Sequence, residues 1–214
     1  MPESVLHCPN CTVQIKSGIL SNNRLLTKQE TEIIQYYFQN DIGGYCQKCG
    51  NDILTESSNK MKTEIEHYQK MLERAIVQIP VITAHSPHGW DYKTIGIVTG
   101  QSTMGTGVLT ELTSSITDAF GTSSGRHNTK LKRGEDLCLE QLKKSAYEMG
   151  GNAIIGTDID YSEIGSGKGI LMVCMAGTAI RLTNTEVLDR KVKAAVDELP
   201  RLAKKLKPLE KLLA

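Results

Sequence analysis

Apolar and polar positions recur with two different periods along this 214-residue chain, and the changes of period mark its parts. Thr27 and Glu30 in TKQE form a capping box that opens a helix through Ile33, Ile34 and Tyr37, ending near residues 43–44. A short strand is expected ahead of it in TVQIKSGI. Met61, Ile65, Tyr68, Leu72 and Ile76 then recur at helical spacing. The opposite face is densely charged, so the stretch from about 57 to 77 reads as a helical spacer, stopped by Pro80.

From about residue 80 the pattern turns to β-branched runs and glycines. IPVITA and YKTIGIVTG are strand candidates. Leu109, Leu112, Ile116 and Phe120 predict a short amphipathic helix, and GTSSGRHN an exposed break. Leu131, Cys138, Leu142, Ala146 and Met149 mark one face of a longer helix from about 128 to 149, with Gly150 and Gly151 as its C-cap. AIIGTDIDYSEI and GILMVCMAGTAIRL, joined by the tight turn GSGK, predict an antiparallel hairpin.

The last of these strands is apolar on both faces. Ile170, Met172, Cys174, Ala176 and Ile180 alternate with Leu171, Val173, Met175 and Ala179, so both faces need cover. One long helix covers one face of a three-stranded sheet, which leaves the other for a second subunit and predicts an oligomer. In the tail, Leu188, Val192, Ala195, Leu199, Leu202, Leu206, Leu209 and Leu213 step by four and three in a heptad seam. Pro200 and Pro208 interrupt it, which predicts two short helices with Pro200 in the first turn of the second.

Composition narrows the functional classes. The 25 Lys and Arg nearly balance the 24 Asp and Glu, so no global field draws nucleic acid or an anionic membrane. Aromatic residues at 5% are too few for a base-stacking surface. No basic, apolar leader opens the chain and no apolar run approaches a membrane span, so a cytoplasmic protein with reduced cysteines is expected.

Four of the six cysteines form two C-x-x-C pairs, Cys8/Cys11 and Cys46/Cys49. Each pair lets two thiolates approach one ion while the amides of the turn point at the sulfurs, and two pairs complete a tetrahedral site. All four positions being filled by protein, the expected role is structural. Metal affinity supplies on the order of 10 kcal/mol to a module too small for its own core. Zinc is the expected ion. Iron in a rubredoxin-like site is the alternative, because the long gap between the pairs fits it too. Gly50 is expected to supply a left-handed turn after Cys49.

The remaining constellations carry less. Asp158 and Asp160 share a strand face and either hold a divalent ion or form an exposed acidic edge. Cys138 and Cys174 are expected as buried thiols, although Met172 and Cys174 would offer soft ligands. His85 and His88 read as a surface loop; His7 and His127 find no partner. The basic leucine-rich segment 199–214 either lies on an anionic membrane, docks a partner or packs within its own oligomer. In TGQSTMGTG, Gly100 and Gly105 have P-loop spacing, but Thr106 stands where the lysine belongs. It reads as a strand-to-helix turn whose residues 105–107 would at most receive an anion. No catalytic set is recognisable, so no enzyme activity is expected.

Residues 94–182 resemble the YbjQ-like family through TGQSTMGTG, MGGNAIIGTDIDYSEIG and LMVCMAGTAIRL, in that order and spacing. The family pattern falls on Gly100, Gly105, Gly156, Asp158, Asp160, Tyr161, Met172, Gly177 and Thr178. The resemblance implies an α+β, β-α-β-β dodecin-like domain that forms a ring, a pentamer, and carries a heavy-metal-binding label. The segment GTSSGRHNTKL and Cys138 depart from that pattern, and the four-cysteine module is an addition to it. The chain is accordingly expected to comprise a four-cysteine zinc-ribbon-like module (1–54), a helical linker (55–78), a YbjQ-like domain (79–183) and an amphipathic helical tail (184–214). Its expected role is a non-enzymatic, zinc-containing oligomeric scaffold or binding protein whose partners are its own copies and an unidentified protein. The alternatives are a metal-handling or rubredoxin-like redox protein and a membrane-surface adaptor acting through the basic tail.

Overall fold

A computed structural model describes residues 6–15, 23–39, 42–104, 123–164 and 170–214. The predicted helix over 109–120, the turn GSGK and residues 105–107 lie outside them. The chain forms two compact units, Met1–Leu72 with Pro200–Ala214, and Glu73–Leu199.

In the first unit, β1 (Leu6–His7) pairs antiparallel with β2 (Gln14–Ile15). Helix α1 (Lys28–Phe38) carries the predicted capping box: Glu30 N–H donates to Thr27 Oγ1 at 3.2 Å, and Thr27 N–H to Glu30 Oε2 at 2.6 Å. Arg24 pairs with the same carboxylate at 2.9 Å and helps hold it well down, at about 2. Helix α2 (Gln47–Val77) starts well before the predicted 57, ahead of the apolar periodicity that opens at Met61. Its first turn is the second cysteine knuckle, where Gly50 N–H donates to the Cys46 carbonyl at 2.9 Å. Gly50 is therefore helical and not a left-handed turn. It is glycine for room, since a Cβ there would lie 2.7 Å from Leu26 Cδ1 and 2.8 Å from Tyr45 Cβ.

Among the described residues, two small cores hold this unit. Leu26, Ile34 and Tyr45 pack with Ile42, Ile53 and Leu54, while Ile33, Met61 and Leu209 pack with Tyr37, Ile65 and Tyr68. Leu209 belongs to α4 (Arg190–Leu213), one helix that runs through both Pro200 and Pro208 in place of the two predicted. Each proline removes one helical hydrogen bond, but both sit on the exposed side while Leu202, Leu206 and Leu209 are buried. The buried stripe sustains the helix across the gaps. No helix among the described residues is long and apolar enough to cross a membrane.

The second unit has the order β3 (Tyr92–Met104), α3 (Ser123–Glu148), β4 (Ala153–Ile164), β5 (Ile170–Leu182), with β5 central in an antiparallel sheet β3-β5-β4. This is the expected β-α-β-β sequence. Strand β3 continues through TGQSTM, so Gly100 is a strand residue and not part of a loop. A Cβ on Gly100 would sit 2.5 Å from the Cys138 carbonyl oxygen and 2.7 Å from Leu142 Cδ1. Glycine is there because α3 lies directly on the strand. Helix α3 begins at Ser123, inside the predicted break. Cys138, Leu142 and Ala146 are buried as predicted, whereas Met149 is 45% exposed at the helix end. Gly150 (φ +89°) and Gly151 close the helix, with Gly151 N–H on the Ala146 carbonyl at 2.7 Å.

The segment 80–84 lies along the outer edge of β4, in parallel, through the Val81–Ile154 bridge and Gly156 N–H to the Ala84 carbonyl. IPVITA is thus an edge cover for a strand that bulges between Ile155 and Asp158. At the bulge Gly156 has φ +57°, and the His85 ring would meet any Cβ there at 2.7 Å. One end of the sheet face away from α3 is covered from within: Ile82, Trp90, Tyr92 and Leu188 pack on Ala153, Ile155, Ile180 and Leu182. The rest of that face stays open among the described residues.

Candidate metal centre

The four cysteines of the two C-x-x-C pairs come together in the first unit. Cys8 and Cys11 lie on the turn between β1 and β2, where Cys8 N–H donates to the Val13 carbonyl and Thr12 N–H to the Cys8 carbonyl, both at 2.9 Å. Thr12 adopts φ +59° in this knuckle. Cys46 and Cys49 stand just before and within the first turn of α2. Segment 23–26 fixes that turn: Leu26 N–H donates to the Tyr45 carbonyl, Gln47 N–H to the Arg24 carbonyl, and Lys48 N–H to Asn23 Oδ1.

The sulfurs are 3.6 Å apart for Cys8 and Cys49, 3.7 Å for Cys11 and Cys46, and 3.6 Å for Cys46 and Cys49. All four lie within 4.8 Å of one another. A disulfide needs about 2.05 Å, so none of these is a bond. Four thiolates at about 2.3 Å from a shared ion have tetrahedral edges of about 3.8 Å, close to the observed separations. The residues fit a metal, and among the described residues they are the only group of three or more Cys, His, Asp and Glu placed to share one.

Hydrogen bonding and burial support the same reading. Cys8 and Cys46 are buried, Cys11 and Cys49 partly exposed. Cys46 N–H donates to Cys8 Sγ at 3.2 Å, and Asn10 Nδ2 to Cys49 Sγ at 3.5 Å. Burial pushes the Cys46 thiol up, but the Cys49 amide and sulfur, the Cys11 sulfur and Asn23 outweigh it and bring the group to about 6. For Cys8 too, burial is overcome, here by the amides of Cys11 and Asn10, and its thiol is lowered. Cys11 goes the other way: the Val13 amide favours its thiolate, yet burial and three neighbouring sulfurs push it to about 12. Crowded thiols compete for negative charge, and a divalent cation among them relieves that competition.

Asn10 and Asn23 are the site residues that sequence reasoning missed. Asn10 lies inside the first C-x-x-C and was open to notice as a donor beside two sulfurs. Asn23 carries no signal, since only the fold brings it to the second knuckle.

The other predicted residues take different places. Asp158 and Asp160 share one sheet face with Cys174, Ala176, Thr99 and Gln101, because Thr99 and Asp158 both pair with Ala176, and Gln101 and Asp160 with Cys174. Together they line an open hollow of about 330 Å³. Cys174 is therefore half-buried on an open face, not a core thiol, whereas Cys138 is fully buried with Sγ 3.3 Å from the Val173 carbonyl. His7, His85 and His88 are exposed. The side chain of His127 lies outside the described ones.

Comparison with known proteins adds to the second unit. Residues 79–183 match the family model YbjQ_1, described as "Putative heavy-metal-binding". The chain is also similar to a crystal structure of a protein of unknown function of the DUF74 family from Pediococcus pentosaceus ATCC 25745. The identity is 18%, the match covers 48% of this chain and 96% of that one, and the TM-score is 0.36. The four clustered cysteines fall outside the segment matched by the family model.

Proposed function

We propose that this chain is a non-enzymatic, zinc-containing binding protein that assembles with copies of itself, its metal held by Cys8, Cys11, Cys46 and Cys49 and its YbjQ-like domain acting as the scaffold. The separation of the four sulfurs carries the reading, because it matches a closed tetrahedral thiolate site. Four protein donors leave no open position, so the ion would stabilise the first unit without taking part in a reaction. Cys8, Cys11, Cys46 and Cys49 hold the ion; the backbone amide of Cys46 and the Asn10 side chain orient and neutralise the sulfurs.

Assembly is supported by the exposed part of the sheet. Ile97 is 78% exposed on β3, and the central strand shows Cys174 and Ala176 to the same open face. The family resemblance points to a ring of five. The metal-handling alternative has the Asp158/Asp160 edge exchange an ion, and that edge lies inside the segment carrying the heavy-metal description. Native mass spectrometry with elemental analysis of the full chain separates the two. One zinc per chain in a homo-oligomer is the expected result; a second ion per chain favours the alternative, and a metal-free monomer contradicts both.

A further inference from the structure

We propose that Cys49 is the hydroperoxide-reactive sulfur of the cluster and Cys46 its resolving partner, so that mild oxidation releases the metal. The proposal rests on the four-cysteine metal reading and concerns how that site would be regulated. Two observations single out this pair. Cys8 and Cys46 are 2% and 0% exposed, so an oxidant reaches the cluster only from the side of Cys11 and Cys49. Of those two, Cys49 lies 3.6 Å from Cys46 and equally close to Cys8, but Cys46 is the one that shares with it the backbone turn that opens α2. Closing that distance to the roughly 2.05 Å of a disulfide requires side-chain rotation within one turn. Cys11 has the Cys46 sulfur at 3.7 Å, but on the opposite knuckle, where a bond would drag one knuckle across the other; its own-knuckle partner Cys8 lies within 4.8 Å and does not stand on a helical turn.

The chemistry balances with a hydroperoxide as the oxidant. The Cys49 thiolate attacks one peroxide oxygen, the O–O bond breaks, and hydroxide (or alkoxide) leaves, giving a sulfenic acid. The Cys46 thiolate then attacks Cys49 Sγ; the S–S bond forms, the S–O bond breaks and hydroxide leaves. The two sulfurs lose two electrons, the peroxide gains them, and solvent protons neutralise the leaving groups. Cys8 and Cys11 then remain as two donors where four are needed, and two do not retain the ion.

The test uses the full-length Cys174→Ser protein, which lacks the partly exposed thiol outside the cluster. Metal per chain is measured first, and hydrogen peroxide is then added with a chromogenic chelator present. Expected are release of the ion, loss of two titratable thiols, and recovery with dithiothreitol and added metal. Trypsin cleaves at Lys48, between the two cysteines, so the disulfide should appear as two linked peptides carrying Cys46 and Cys49. A disulfide from Cys8 or Cys11 to the second pair, or release with all thiols intact, overturns the assignment. Metal that survives the oxidant overturns the release proposal alone. A protein with no metal at the start overturns the metal reading and this proposal with it.

Discussion

Replacing Cys46 by serine is expected to empty the metal site and unfold the cysteine-bearing unit, while the unit Glu73–Leu199 remains folded. Cys46 is fully buried, has two sulfurs within 3.7 Å, and donates its own N–H to a third at 3.2 Å. A serine hydroxyl is a poor zinc ligand, and it would stand where a buried thiolate completes the tetrahedron. A structural zinc site supplies on the order of 10 kcal/mol of folding free energy. Among its described residues the unit beneath it has two small clusters, around Leu26, Ile34 and Tyr45 and around Ile33, Met61 and Leu209. Such clusters do not replace that contribution. Metal content should fall at least about tenfold, since disturbing the groups that merely orient the ligands already costs roughly 10–100-fold. In thermal unfolding of the full chain, one transition should vanish and the other persist. An unchanged melt with full metal content would contradict the expectation.

Gly100→Val should destabilise the second unit by about 3 kcal/mol, in the range of overpacked or strained core positions. The site offers no slack. Even the Cβ alone would lie 2.5 Å from a backbone carbonyl oxygen of α3, which is held by its own helix and does not rotate away as a side chain tip would. The helix must lift from β3, loosening Cys138 and Leu142, both fully buried beneath it. Lys144→Gln is the control. Lys144 is exposed on α3, off the helix face that carries Cys138, Leu142 and Ala146, and surface substitutions stay within about 0.5 kcal/mol. Equal melting temperatures for the two variants would show that α3 does not rest on Gly100.

What the sequence reveals here is what short spacing controls. Two cysteines three positions apart define a knuckle by themselves, so the four-cysteine cluster was legible; so were the Thr27–Glu30 cap and the glycine stop after Glu148. Features decided by distant partners were not. Gly50 looked like a turn residue because nothing nearby announces Leu26. Gly100 sat in a glycine-rich stretch that resembled a loop, yet its reason is helix α3, 38 positions later. Cys174 alternates with apolar neighbours and so read as a buried thiol. Within the chain it is half-buried, because the register sets polar Thr99, Gln101, Asp158 and Asp160 beside it. The prolines of α4 argued for a break, but a helix tolerates them where its buried leucines hold the other side.

The proposed role of the first unit turns on four cysteines holding one zinc ion. X-ray absorption at the metal edge of the purified full-length protein tests this directly. Expected is a zinc signal with four sulfur neighbours at about 2.3 Å and no nitrogen or oxygen bound to the ion. An iron signal, or zinc bound by nitrogen and oxygen, would contradict it.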